Sequence, residues 1–224
     1  MPALLPCVEV EARKPASASV IWLHGLGADG HDFEPLVPHM RLPHARFVFP
    51  NAPAIPVTIN GGYVMPAWYD IRNLELRPQV QDREDPTQIR SSAAAIEALI
   101  ARENSRGIPS DRIVIAGFSQ GGALALYVAP RHAKPLAGFM VLSAYEVLPS
   151  LAGEHHEANR TTPALFCHGR HDPTVPMFAG QAACESARRS GRDVRWSEFP
   201  IGHEVSMPEI QTIAGWLLER LPPT

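Results

Sequence analysis

The chain has 224 residues, a length that suits one domain, taken here as 1–224, with a sizeable core. Apolar residues make up 45% and charged residues 19%, and the net charge is −3; a wholly disordered chain is excluded, and no basic patch offers itself to nucleic acid. No apolar run approaches the roughly 18 residues of a membrane span, and the first residues lack the basic and apolar regions of a secretory signal.

The three cysteines, Cys7, Cys167 and Cys184, are odd in number and far apart. They argue against a disulfide framework, and the cytoplasm is the expected compartment. Residues 8–12 alternate apolar and charged side chains and predict an edge strand. Residues 18–23 form an apolar run that predicts a buried strand, ending at His24-Gly25. A helix interrupted at Pro38 is expected over 32–40, then a strand over 46–49 closed by Pro50.

Residues 51–86 differ from the rest. Prolines and Gly61-Gly62 interrupt them and no helical period emerges, so a long loop is expected. Because it holds Tyr63, Trp68 and Tyr69, the loop reads as ordered and packed near a site. Asp85-Pro86 supplies a helix N-cap with proline at the first position, and Ile89, Ile96, Leu99 and Ile100 form the apolar stripe behind it.

Strands are then expected over 111–117, 138–143, 163–168 and 194–199, and helices over 120–128 and 178–190. A last helix opens at Ser206-Met207-Pro208-Glu209, a capping-box pattern. Alternation of this kind predicts an α/β fold, a mostly parallel sheet with helices on both faces. Ligands of such sheets bind beyond the carboxyl ends of the strands.

The residues just after those strands carry the chemistry. Gly117-Phe118-Ser119-Gln120-Gly121 is a G-x-S-x-G pattern between a strand and an apolar helix, the setting of a nucleophile elbow. The bland alternative is a serine in a glycine-rich turn. A serine needs a base, and His203 lies between the last strand and the last helix. His155, His156 and His171 are other histidines within reach of the pattern. The base needs an acid: Asp172 follows the strand ending at His168, with Glu146 as its rival.

Two backbone donors would complete the site, the N–H of Gln120 and one from the glycine-rich segment 24–30, where Leu26 is the candidate. Gly25, Gly27 and Gly30 also spell G-x-G-x-x-G. No acidic residue follows at the distance a dinucleotide ribose requires, which disfavours a cofactor enzyme. His155-His156 and His168-x-x-His171-Asp172 read as solvated loop residues before metal ligands, and no metal is expected.

Taken in order, His24-Gly25-Leu26-Gly27-Ala28-Asp29-Gly30, Met65-Pro66-Ala67-Trp68-Tyr69-Asp70, Gly117 to Gly122, Gly169-x-x-Asp172-x-x-Val175-Pro176 and Gly202-His203 resemble the small carboxylesterase and acyl-protein thioesterase family of α/β-hydrolases. The resemblance spans residues 18–220. It implies an α/β-hydrolase fold without a large lid domain and a serine hydrolase of ester or thioester bonds, with no metal and no cofactor. Ser119 is implied as nucleophile, Asp172 as acid, His203 as base, Leu26 and Gln120 as oxyanion-hole residues, and Trp68 as a neighbour of the acyl site. Phe118 and Val175 join Trp68 as expected substrate-binding walls.

Met65-Pro66-Ala67-Trp68 looks more like the bacterial carboxylesterase branch, which implies small or medium acyl esters. The alternatives are a lysophospholipase or acyl-protein thioesterase acting on long chains, an amidase on the same fold, and a non-catalytic binding protein. The expected partner is a small-molecule ester or thioester, and the resemblance leaves a homodimer open.

Overall fold

A computed structural model describes residues 4–75 and 83–223; the 76–82 part of the expected loop lies outside the described residues. In chain order the elements are β1 (Cys7–Val10), β2 (Ala18–Leu23), α1 (Val37–Met40), β3 (Ala45–Pro50), β4 (Ala54–Val57), β5 (Tyr63–Pro66), α2 (Pro86–Ser105), β6 (Ile113–Phe118), α3 (Gln120–Val128), β7 (Gly138–Leu142), β8 (Ala164–Gly169), α4 (Met177–Arg189), β9 (Val194–Phe199) and α5 (Met207–Arg220).

Seven strands make one sheet in the order β1-β3-β2-β6-β7-β8-β9. β1 pairs antiparallel with β3, and the other neighbours pair parallel. From β2 the chain first goes outward to β3, then returns to the other flank with β6. This reversal opens a crevice at the carboxyl ends of β2 and β6, the place where open α/β sheets bind ligands.

Both faces of the sheet are covered, because parallel strands expose apolar side chains on each side. Ile21, Ile115, Val141 and Phe166 pack with Ile89, Ile96, Leu124 and Ala183 from α2, α3 and α4. On the opposite face Val20, Trp22, Val114 and Leu165 meet Met40 of α1 and Ile210, Ile213, Trp216 and Leu217 of α5. Each fully buried branched side chain contributes about 1.5–3 kcal/mol relative to exposure. Among the described residues no helix is long and apolar enough to cross a membrane.

Local signals explain the helix ends. The Asp85 side chain accepts the N–H groups of Thr87 and Gln88, and Pro86 opens α2 without losing a bond. At α5 the Ser206 hydroxyl accepts the Glu209 N–H at 3.4 Å. The expected return bond of the capping box is absent: both Glu209 carboxyl oxygens are buried without a partner among the described residues. Burial pushes that carboxyl up to about 8.

Two further expectations are corrected. Pro38 does not interrupt a helix over 32–40. A 3-10 turn (Glu34–Leu36) precedes α1, and Pro38 sits in the first turn of α1, where its missing N–H is harmless. Nor is 51–86 simply a loop. β4 and β5 form an antiparallel hairpin, Ala54 facing Pro66 and Val57 facing Tyr63. Pro56 and Pro66 fit because a two-stranded hairpin leaves edge positions free of ladder bonds. Asp70 anchors the turn between them by accepting the Thr58 N–H and hydroxyl, each at 2.7 Å.

Candidate active site

The elbow between β6 and α3 is built by close approach. A Cβ on Gly117 would stand 2.2 Å from the Gly121 carbonyl oxygen, and one on Gly121 would stand 2.4 Å from the Leu23 carbonyl oxygen. No side chain can occupy either place, so the helix starts directly against β2 and β6. Ser119 takes the strain of the turn, with φ 53° and ψ −120°, a conformation that residues with a Cβ rarely adopt. Its N–H donates to the Leu142 carbonyl at 2.8 Å, which anchors the turn to the end of β7.

Ser119, His203 and Asp172 come together from three strand ends. The Ser119 hydroxyl donates to His203 Nε2 at 2.9 Å, and His203 Nδ1–H donates to Asp172 Oδ2 at 2.7 Å. The other Asp172 oxygen accepts the N–H groups of Thr174 (2.9 Å) and Val175 (2.8 Å). Burial alone would raise the Asp172 carboxyl. The His203 bond, the two N–H groups and the nearby imidazole outweigh it and hold the carboxyl below its ordinary value.

Behind Asp172 lies His168, fully buried, donating from Nε2 to the Val175 carbonyl at 2.8 Å. Burial lowers its pKa, so it stays neutral beside the acid. The Phe118 ring lies 4.7 Å from the His203 ring and fixes the face it presents.

The remaining candidates are elsewhere. Glu146 accepts from the Ser186 hydroxyl at 3.1 Å and does not reach His203. His155 lies near Arg131 and Arg192; burial and then those two charges push it down to about 4. His156 Nδ1 accepts the Ala158 N–H, and His171 is exposed, its backbone N–H on the Ile201 carbonyl. Among the described residues no group of three or more His, Cys, Asp or Glu is placed to hold a metal ion.

A cleft of about 290 Å³ opens over Ser119 and His203. Leu26, Gln120, Phe118 and Val175 line it, and the backbone N–H groups of Leu26 and Gln120 have no partner among the described residues. Trp68 does not line the cleft. It is buried with every polar group engaged: its backbone N–H on Gln120 Oε1, its indole N–H on the His24 carbonyl and its carbonyl on the Ser92 hydroxyl. Ile59, Ile71 and Leu74 line the cleft instead, with Tyr145 and Arg83.

Those wall residues escaped the sequence. Tyr145 stands three positions beyond β7, so its place just after a strand was the signal available. Its hydroxyl lies 3.1 Å from that of Tyr69, and the Arg83 guanidinium lies over its ring at 4.6 Å.

A hydroxyl on an imidazole, beside two backbone N–H groups without a partner among the described residues, is an arrangement that can carry acyl transfer. The sequence profile of the phospholipase/carboxylesterase family matches residues 6–219. The chain belongs to that family. It is therefore a hydrolase of the esterase and thioesterase type. Among its relatives, acyl-protein thioesterase 1 of Neurospora crassa is 38% identical across 99% of this chain and 92% of its own length. Its counterpart in Gibberella zeae is 35% identical across 95% and 94%.

Solved structures agree. Arabidopsis thaliana SOBER1 superposes with a TM-score of 0.84 at 32% identity, covering 91% of this chain and all but 1% of its own. Zea mays acyl-protein thioesterase 2 gives 0.83 at 26%, covering 96% and 99%. The bacterial-branch expectation drawn from residues 65–68 thus has less support than the thioesterase alternative.

Proposed function

We propose that the protein is a serine hydrolase of the acyl-protein thioesterase type, releasing acyl chains from thiols through an acyl-enzyme. The observation that carries it is the continuous path from Asp172 through His203 to Ser119, facing two unpartnered N–H groups. The thioester carbonyl sits between the Ser119 hydroxyl and the N–H groups of Leu26 and Gln120. His203 takes the hydroxyl proton as Oγ attacks, and the oxyanion gathers on the two donors.

Collapse expels the leaving group, protonated by His203. A thiol, with an ordinary pKa of about 8.5, leaves with little help. Water, deprotonated by His203, then attacks the acyl-enzyme carbonyl and releases the acid and Ser119. Asp172 keeps the imidazole in one tautomer and stabilises its charged form.

A second possibility keeps the same chemistry on short esters. The cleft volume, about 290 Å³, is at the small end of the ~300–1,000 Å³ typical of ligand sites. One experiment separates the two: hydrolysis of S-acylated cysteine peptides and p-nitrophenyl esters, acetyl to palmitoyl, with wild type and Ser119→Ala. Cleavage of long S-acyl peptides, with kcat/KM rising with chain length, supports the thioesterase; turnover confined to the shortest esters supports the small-ester enzyme. Ser119→Ala should lose on the order of 10⁶ in kcat with the fold intact. Retained turnover would remove Ser119 from the mechanism.

A further inference from the structure

The two free N–H groups come from loops that follow different strands, so something must fix their spacing. We propose, resting on the serine-hydrolase assignment above, that His24 and Trp68 are positioning residues of the oxyanion hole. His24 sets the plane of the peptide that presents the Leu26 N–H, and Trp68 ties that peptide to Gln120, which presents the second N–H.

The Gly25 carbonyl and the Leu26 N–H belong to one peptide unit, and in a trans peptide the two point in opposite directions. His24 Nδ1–H donates to that carbonyl at 2.7 Å, and the Ala28 N–H adds a weaker bond at 3.3 Å. His24 is buried and does not line the cleft, whereas Gly25 and Leu26 do. Anchoring the carbonyl on the buried side turns the N–H toward the cleft.

The ring can play this part in one tautomer only. Its Nε2 accepts the Ala52 N–H at 3.0 Å, so the single proton of a neutral imidazole belongs on Nδ1. Burial pushes His24 below the ordinary histidine value and keeps it neutral.

Trp68 carries the tie onward. Its indole N–H donates to the His24 carbonyl at 2.9 Å, and its backbone N–H donates to the Gln120 side-chain oxygen at 2.9 Å. The Gln120 amide returns a bond to the Tyr69 carbonyl at 2.7 Å. One short segment, through the Trp68 indole and the main chain of Trp68 and Tyr69, therefore cross-links the ends of β2 and β6, where the two donors stand. Since Trp68 is 1% exposed and off the cleft wall, contact with substrate is not its role.

The test uses His24→Gln, His24→Asn and Trp68→Phe, each compared with wild type by circular dichroism and Tm. Asparagine can place its amide nitrogen where Nδ1 was; glutamine extends its amide toward Nε2 and leaves the Gly25 carbonyl without its donor. The readouts are kcat and KM on a p-nitrophenyl ester, and Ki for an acyl trifluoromethyl ketone. That ketone forms a hemiketal: Ser119 Oγ bonds the carbonyl carbon, His203 takes the proton and the oxygen becomes an oxyanion.

His24→Gln should lower kcat about 10–100-fold with little change in KM, and weaken Ki by the same factor. His24→Asn should recover most of both. Trp68→Phe, which lacks the indole N–H, should show the same split with a smaller factor, and it carries the test if His24→Gln does not fold. Unchanged kinetics, a change in KM alone, a kcat loss with Ki unmoved, or His24→Asn no better than His24→Gln overturns the proposal. If wild type forms no adduct and its turnover survives Ser119→Ala, the serine-hydrolase assignment fails instead.

Discussion

The two sides of the cleft are held by different forces. On the elbow side, Gly117 and Gly121 leave no space for one methyl group, and main chain rests on main chain. On the other side, the Asp172 turn and the 24–30 and 66–70 segments are fastened by side-chain hydrogen bonds. Contact between backbones is steep in distance and tolerates no substitution. A polar tie is local, so its loss can disturb geometry without unpacking the core. The elbow should therefore lose stability and activity together, while the polar side should let them be separated.

The largest effect expected on the polar side is from Asp172→Asn. The amide oxygen can still accept from Thr174 and Val175, but its NH₂ would face His203 and impose the wrong tautomer. Activity should fall by about 10⁴ with Tm close to wild type, as read by kinetics beside a melting curve. A comparable loss in Glu146→Gln would break the assignment of the acid.

On the elbow side, Gly121→Ala forces a Cβ to within 2.4 Å of the Leu23 carbonyl oxygen. Here kcat should drop about 10²-fold as Gln120 and Ser119 move, and stability should fall by about 1–3 kcal/mol, measured by urea unfolding. A variant that loses activity at unchanged stability would contradict the contrast.

Much of the elbow was legible because its signals are local. Gly117 to Gly122 between a strand and a helix needs only a few neighbouring residues to be recognised, and Asp85-Pro86 likewise marks α2. Chain order and strand ends then brought Asp172 and His203 into view. The polar side was harder to read. Trp68 meets His24 and Gln120 across 44 and 52 residues of sequence, so no spacing rule separates a substrate wall from a strut. The β4–β5 hairpin was hidden because Pro56 and Pro66 are usual strand breakers. Ile59, Ile71 and Tyr145 reach the cleft from separate segments, a coincidence that only the fold creates.

Smaller effects sharpen the picture. Tyr145→Phe removes the hydroxyl pairing with Tyr69 at the cleft wall, and should change stability by about 1 kcal/mol or less while altering KM more than kcat. Glu209 gives a test by pH, away from both sides of the cleft. Its carboxyl is raised from 4.5 to about 8 in the folded chain, so the native state holds its proton more tightly than the unfolded state. The resulting stability is full below about 4.5 and is lost as pH rises through about 8. The Tm of wild type should fall across that window relative to Glu209→Gln, at about 2–4 °C for each kcal/mol. Parallel melting curves would show that Glu209 ionises normally.

The backbone angle of Ser119, φ 53° on a residue with a Cβ, sets efficiency against durability. Glycine would relax at that position, and the inactive Ser119→Gly chain should melt higher than the working enzyme, by the equivalent of about 1 kcal/mol or more. Selection for thermal endurance alone would discard the serine on which the proposed mechanism depends.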